Sequence, residues 1–223
     1  MYVQCLHGKP EGPLDLYVET AHLKWMMSHV VEGGSFLDVG AATGTMTAVM
    51  AATFGSGVRI AAFEPARKAR RLLEQTLERN GLAGVEVLPN AVSNSEGVVR
   101  FSEYGYDEAG GNPWLPDASA IHSQLIDDSR AESYDVETTT LDAFCSARGL
   151  QRNPTVAKID VEGFEVHVLE GSLALIAAAR PWFSIDIHKD PFGDGTTEPK
   201  VRALLGRYGY RFETMGHVLV ASP

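Results

Sequence analysis

Cysteine is scarce in these 223 residues: there are two, Cys5 and Cys145, too few for a disulfide framework and in no zinc-finger spacing, so both read as plain thiols. Long apolar runs are missing as well. None approaches the ~18 residues of a membrane-spanning helix. The opening residues, MYVQCLHGKPEGPLDLY, carry no basic segment leading into an apolar stretch, so no secretory signal is expected and the cytoplasm is. Positive charge is in short supply: 19 Lys and Arg against 29 Asp and Glu give a formal net charge of −10, which repels phosphate backbones and argues against nucleic acid as a partner. The one basic cluster, ARKARR at 66–71, falls on an expected helix and reads as a solvated face. Internal repeats and interdomain linkers are absent too.

What is present describes a globular chain, with 44% hydrophobic and 22% charged residues. Its length suits a single domain over 1–223, with an N-terminal helical extension over about 1–34 and an insertion or lid over about 102–133. Leu23, Met26, Met27 and Val30 recur at helical spacing before Gly33 and Gly34. SFLDVG at 35–40 is a short buried strand, and Met46, Val49, Met50 and Phe54 mark the inner face of a helix after it. VRIAAFE at 58–64 is a second strand. A helix with Ala69, Leu72, Leu73 and Leu77 inward follows and ends at Asn80-Gly81, and VEVLP at 85–89 is a third strand. This alternation implies right-handed crossovers and an α/β class, a doubly wound, mostly parallel sheet.

Regularity fails over 102–133, a polar stretch rich in glycine, acid and serine, whose Tyr104, Tyr106 and Trp114 either cover a ligand or pack the loop onto the body. Order returns with a strand, YDVETTTL, that puts Val136, Thr138 and Thr140 on one face, and a short helix around 142–148. TVAKIDVEG is a buried strand ending in acid. One helix carries Val166, Leu169, Leu173 and Ile176, WFSIDIH is another buried strand, and a helix lies near 201–208. YRFETM and HVLVAS, separated by Gly216, suggest a C-terminal antiparallel hairpin on the sheet edge.

The glycine turn at 40–45 reads G-A-A-T-G-T. A dinucleotide fingerprint, G-x-G-x-x-G, fails at Ala42 and Thr45, and no Gly-Lys-Ser/Thr follows to make a phosphate loop. What remains is D-x-G-x-x-x-G over 38–44, the pattern carried by S-adenosylmethionine-dependent methyltransferases of the Rossmann-like class. Candidate donor contacts are then Asp38, Gly40, Ala41 and Gly44, with Asp38 placed to meet an ammonium group directly or through water. Glu64, ending the second strand in AFEPA, suits a ribose diol, and Asn90 lies on the adenine side. Each residue alone also has a plain reading: turn geometry for the glycines, a helix cap for the acids, a turn residue for the asparagine.

The longest motif is AKIDVEGFEVHVLEG at 157–171. With the glycine turn, FEP and the downstream PWFSIDIH, it resembles the FkbM family of methyltransferases, whose signature is K-I-D-V-E-G-x-E-x-x-V-L-x-G, over residues 35–188. The resemblance implies a Rossmann-like class I methyltransferase fold, S-adenosylmethionine as donor, and methylation of a hydroxyl on a small acceptor such as a sugar or secondary metabolite. Two departures stand out. Ala42 takes the place of the family's usual asparagine, and the last parallel strand carries D-I-H where E-x-H is common.

Ligands of an open α/β sheet bind beyond the carboxyl ends of strands, which gathers Asp160, Glu162 and His188. His188, with an intrinsic pKa near ~6.5, is the expected base for the acceptor hydroxyl, and Asp160 would orient the acceptor or the histidine. Glu162 is placed with the donor-binding residues. Glu165 reads as an acid favoured at a helix N-terminus. Lys158 either pairs with an acid, holding Asp160, or points to the edge. No metal is assigned, although Asp160, Asp186 and Asp190 are oxygen ligands of the kind magnesium takes. His122 and Ser123 of the insertion are within conceivable reach of the acceptor, while His7, His22, His29, His167 and His217 read as surface or packing residues. The partner expected is a small hydroxylated acceptor, with no nucleic acid and no membrane, and a homo-oligomer is compatible with the sequence. Two other readings stay open: a nicotinamide-dependent oxidoreductase, opposed by Ala42 and Thr45, and a nucleoside-binding protein without turnover.

Overall fold

The structure, a computed structural model, describes residues 17–104 and 131–223. Along the chain the elements are α1 (Tyr17–His29), β1 (Ser35–Val39), α2 (Thr45–Phe54), β2 (Arg59–Phe63), α3 (Arg67–Arg79), β3 (Val85–Leu88), β4 (Ala91–Val92), β5 (Gly97–Tyr104) and β6 (Ala131–Thr139). There follow α4 (Leu141–Ala147), β7 (Thr155–Ile159), α5 (Glu165–Glu170), α6 (Leu173–Ala179), β8 (Trp182–Asp186), α7 (Glu198–Gly206), β9 (Arg211–Met215) and β10 (Val218–Ser222).

Strand parity decides the layering. Leu37 and Val39, Ala61 and Phe63, Ala157 and Ile159, Phe183 and Ile185 turn to one face of the sheet, where Phe144, Val168, Leu175 and Leu205 of α4 to α7 cover them. Phe36, Ile60 and Val156 turn to the other face, onto Met26 of α1 and Met46 and Met50 of α2. Ala62 meets Leu73 and Leu77 of α3 on that same face. Burial on both faces is what a parallel sheet requires, and it explains why these strands read as continuous apolar runs.

The seven-stranded sheet has the order β3-β2-β1-β7-β8-β10-β9. It is parallel from β3 to β8, and β10 runs antiparallel to both of its neighbours. The expected doubly wound sheet with a terminal hairpin is therefore present. Its build direction reverses between β1 and β7, and that switch point opens a crevice past the strand ends.

Two expectations change. The irregular stretch at 102–133 begins and ends inside strands: β5 and β6 form an antiparallel ladder from Gly97↔Thr138 to Tyr104↔Ala131, joined by β4 into a second, three-stranded sheet. Ala91, Phe101, Tyr134 and Val136 pack this small sheet onto Ala66 and Ala69. Tyr106, Trp114, His122 and Ser123 lie outside the described residues, as do Cys5 and His7. The single helix expected through Val166 and Ile176 is two, α5 and α6, broken where the backbone of Ser93 presses in. A Cβ at Gly171 would sit 2.1 Å from the Ser93 carbonyl oxygen. Among the described residues no helix is long and apolar enough to cross a membrane.

Candidate active site

The glycine turn is built by backbone contact between strand ends. Gly40, at φ 79°, and Ala41 both donate to the Phe63 carbonyl at 3.0 and 3.1 Å, and Asp160 donates to the Val39 carbonyl at 2.9 Å. At Ala42 the chain takes a left-handed φ of 48°, and its N–H donates to Glu64 Oε2 at 2.7 Å. Glu64 Oε1 accepts from the Ala66 N–H at 2.8 Å. Burial pushes the Glu64 carboxyl up to about 7, against the pull of these two N–H bonds and of Lys158. Each carboxylate oxygen keeps an unused lone pair, and the residue lines a cavity of about 360 Å³ together with Gly40, Ala41, Asn90, Asp160, Glu162 and His188.

Asp38 and Gly44 do not line that cavity. Asp38 is fully buried on the α2 face of the sheet, where its carboxylate accepts from Thr47 Oγ1 at 2.5 Å and faces Lys158 Nζ at 3.5 Å. A direct contact with a donor ammonium is thus not what this position offers, because strand parity turns its side chain inward. Gly44, at φ 84°, lets α2 close on α3: a Cβ there would lie 2.3 Å from Leu73 Cδ1. Both residues shape the turn from behind. The basic cluster is likewise more than a solvated face, since Arg70 donates to the Glu64 and Pro65 carbonyls at 2.8 and 3.1 Å and the Arg67 guanidinium lies 3.8 Å from the Tyr134 ring centroid.

Farther along the crevice, Lys158 Nζ gathers the Gly40 carbonyl and Asp160 Oδ2, both at 3.1 Å. Burial would raise the Asp160 carboxyl, but Lys158 and His188 outweigh it and hold it below the usual carboxylate range. His188 presents Nε2 to Asp160 Oδ1 at 3.7 Å and Glu162 Oε2 at 3.6 Å, while Nδ1 lies 2.9 Å from Glu165 Oε1. Glu162 sits here at a left-handed φ of 51°, a strained conformation of the kind that collects at functional sites. Burial lowers the His188 pKa, yet the hydrogen bond to Glu165 and the charges of Glu162, Glu165 and Asp160 overcome it and push the pKa up to about 9. This corrects the expectation of a base titrating near ~6.5. His188 rests as an imidazolium at neutral pH.

Three more residues change role. Glu165 is fully buried and accepts from the Gly163 N–H at 2.9 Å and Thr197 Oγ1 at 2.7 Å besides its contact with His188, so it is no ordinary helix-start acid. His217 lines the cavity with Nε2 3.4 Å from Asp186 Oδ2. His22 of α1 is buried too, and burial, then the charges of Lys158 and His217, push its pKa down to about 4. His29, in contrast, is a packing residue as expected, stacked on Trp182 with centroids 3.7 Å apart.

Asp190 leaves the acidic trio considered for magnesium, because Lys200 Nζ at 2.6 Å and the Phe192 N–H at 2.9 Å hold it. Asp160, Asp186 and His188 do bring one oxygen or nitrogen atom each within 4.8 Å of one another. Lys158 Nζ lies 3.1 Å from Asp160 Oδ2, and His217 Nε2 lies 3.4 Å from Asp186 Oδ2. No metal role is assigned.

A sheet whose order reverses between β1 and β7, a glycine turn without a pyrophosphate cradle and a carboxylate closing β2 describe a Rossmann-like fold with its ligand crevice past the strand ends. Residues 38–212 match the methyltransferase FkbM domain, and the chain belongs to that family. Its methyl donor is accordingly S-adenosylmethionine. The structure is similar to that of methyltransferase FkbM from Methylobacillus flagellatus, with 16% identity and a TM-score of 0.57, over 85% of this chain and 43% of that one. The chain thus spans less than half the length of that relative. A candidate tRNA methyltransferase of Streptococcus pneumoniae has 14% identity and a TM-score of 0.50, over 90% of this chain and 68% of that one. A candidate rRNA methylase of Clostridium thermocellum has 12% identity and a TM-score of 0.50, over 92% and 93%. At these identities the likeness is one of fold. No curated protein matches the chain in sequence.

Glu64 and Asn90 line the cavity together and are its candidate contacts for a nucleoside, Glu64 with an acceptor site left on each carboxylate oxygen for a ribose diol. Only the carboxylate form accepts two such bonds without giving up an oxygen to a proton. Because Glu64 titrates near 7, affinity for S-adenosylhomocysteine is expected to rise as pH increases from 6 to 8. Calorimetric titrations across that range would check this. In Glu64→Ala the affinity is expected to be lower, on the order of 100-fold, and flat with pH over the same range.

Proposed function

We propose that this protein transfers the methyl group of S-adenosylmethionine to a hydroxyl of a small acceptor such as a sugar or secondary metabolite. The observation that carries this reading is the placement of His188, Asp160 and Glu162 in the same cavity as Glu64 and Asn90. Glu64 follows β2 and His188 follows β8, three inter-strand steps apart, or roughly 14 Å of sheet at ~4.8 Å per step. That separation allows a nucleoside at one end and a reacting hydroxyl at the other.

The bound donor supplies an electrophilic methyl on a sulfonium. Asp160, held as a carboxylate, accepts a hydrogen bond from a hydroxyl of the acceptor beside the reacting one, which leaves the reacting proton to His188 and turns the reacting oxygen's lone pair toward that methyl; such alignment supplies much of the rate of an in-line displacement. Neutral His188 takes the hydroxyl proton at Nε2. With its pKa near 9, only about 1% of it is neutral at pH 7, so turnover should rise about tenfold per pH unit until pH approaches 9. The formal charge of −10 favours a small acceptor over nucleic acid.

The test is calorimetric titration with S-adenosylhomocysteine and, in parallel, NAD, followed by methyl-transfer assays on hydroxylated glycosides and on RNA between pH 6 and 10. Saturable binding of S-adenosylhomocysteine alone and transfer to glycosides, steeper at alkaline pH, are expected. His188→Ala should lower turnover on the order of 100-fold with affinity for S-adenosylhomocysteine unchanged. Binding of NAD alone, or transfer to RNA and not to glycosides, would overturn the reading. Binding without turnover on any acceptor would favour the non-catalytic alternative.

A further inference from the structure

Glu165 has no solvent exposure, and a carboxylate in that position is costly unless its oxygens are satisfied. Here three donors meet it from three separate parts of the chain. Gly163, in the turn after β7, and His188 Nδ1, just past β8, both reach Oε1 at 2.9 Å. Thr197, entering α7, donates to Oε2 at 2.7 Å. Thr197 is itself buried, and its N–H donates to the His188 carbonyl at 3.0 Å, which closes a ring through Glu165, His188 and Thr197. The segment after β8 also lies tightly on the turn after β7: a Cβ at Gly163, where φ is 99°, would sit 2.9 Å from the Lys189 carbonyl oxygen and 2.8 Å from Pro191 Cδ. The His188 ring is therefore held by its Nδ1 side, and its Nε2 side is the one that faces Asp160 and Glu162 in the cavity.

We propose that Glu165 is a positioning residue for methyl transfer, forming with His188 a carboxylate–imidazole pair, anchored by Thr197, that keeps the Nδ1 proton in place and Nε2 free to receive the acceptor's proton. This rests on the reading of His188 as the proton acceptor. With the Nδ1 proton committed to Glu165, a neutral His188 has its lone pair on Nε2, the nitrogen on the cavity side. The proton leaving the acceptor oxygen passes to Nε2 and from there to solvent. The buried carboxylate also stabilises the imidazolium so formed, the logic by which an acid behind a histidine serves other proton-transfer sites.

Other charges face His188: Glu162 and Asp160 from the turn after β7 and Asp186 from the end of β8, with His217 beyond Asp186 and Lys158 beyond Asp160. The test has to isolate Glu165 from them. Glu165→Gln keeps its shape: the amide oxygen can accept from Gly163 and His188 while the amide N–H donates to Thr197. In EDTA-treated protein, nitrogen NMR of the imidazole is expected to show the His188 titration midpoint lower by on the order of one pH unit, and its neutral form no longer confined to the Nδ1–H tautomer. In assays, the rising limb of the pH–turnover profile should move to lower pH by the same interval and the plateau should fall on the order of 10- to 100-fold, with affinity for S-adenosylhomocysteine kept. Thr197→Val, which loosens Glu165 through its other oxygen, should move both readouts the same way by less, and it decides the matter if Glu165→Gln does not fold. An unchanged His188 titration and tautomer in whichever variant folds would overturn the proposal and leave Glu165 a buried cap of the turn. The NMR readout needs no turnover, so a displaced titration in a protein that methylates no hydroxyl would count against the functional reading alone.

Discussion

Gly40→Ala is expected to abolish measurable donor binding and to lower the melting temperature by about 10 °C, the shift that ~3 to 4 kcal/mol produces in a domain of this size. The new Cβ would lie 1.8 Å from the carbonyl oxygen of Asp160 and 2.8 Å from its carbonyl carbon. Both are backbone atoms of the neighbouring strand end, so no rotamer change relieves the clash. Relief requires parting β1 from β7, which also costs the Lys158 contact to the Gly40 carbonyl. The left-handed φ of 79° adds roughly 1 kcal/mol for any residue with a Cβ. Thermal unfolding and titration with S-adenosylhomocysteine measure the two effects. A variant with wild-type melting and affinity would mean that the two strand ends are not in contact at this point.

Lys158→Met is expected to destabilise the protein by about 3 to 5 kcal/mol, because it removes the cation from a buried pair and leaves the carboxylate behind. Asp38 is fully buried and its Oδ1 has no hydrogen-bond partner among the described residues, Thr47 serving only Oδ2, so the Lys158 ammonium 3.5 Å away is the charge that offsets it. Asp160 loses the ammonium that keeps its carboxyl low, so it should protonate more readily and orient the acceptor less well. Chemical denaturation would give the stability loss. The pairing itself is tested by Asp38→Asn combined with Lys158→Met: a double variant more stable than the lysine variant alone is expected, whereas strictly additive losses would refute the coupling.

Local pattern revealed much of this molecule. Apolar runs ended by acid or glycine located β1, β2, β7 and β8, and the same residues marked the crevice because strand ends and ligand sites coincide in such sheets. Register was not legible. Asp38 pairs opposite Lys158 in the ladder of β1 and β7, which makes the aspartate half of a buried ion pair, but nothing within SFLDVG shows which residue of a strand 120 positions away will lie beside it. Glu165 was missed for a related reason. An acid opening a helix after a glycine is common, and its true partners, His188 and Thr197, arrive from sequence 23 and 32 positions on. His217 follows a turn that Gly216 announced; its place at the cavity depends on the antiparallel seating of β10, which pairs Val218 with Asp186. The strand β5 was lost because its polar second half, Ser102 and Glu103, is buried against Ser133 and Tyr134, not exposed.

The position of β10 bears on how the molecule assembles. It follows every other strand in the chain, yet it sits inside the sheet, hydrogen-bonded to β8 on one side and β9 on the other. Val218, Leu219, Val220 and Ala221 are all buried there. As synthesis proceeds from the N-terminal side, β8 must wait with an open apolar edge until β9 and β10 have emerged and folded back, and an unpaired edge of that kind is where chains stick to one another. The cavity is incomplete during the same interval, since His217 reaches Asp186 only once β10 is seated. The last hairpin thus serves as the latch of the sheet, and variants that weaken it should first reveal themselves as poor yield and aggregation during expression, ahead of any change in the chemistry of the finished protein.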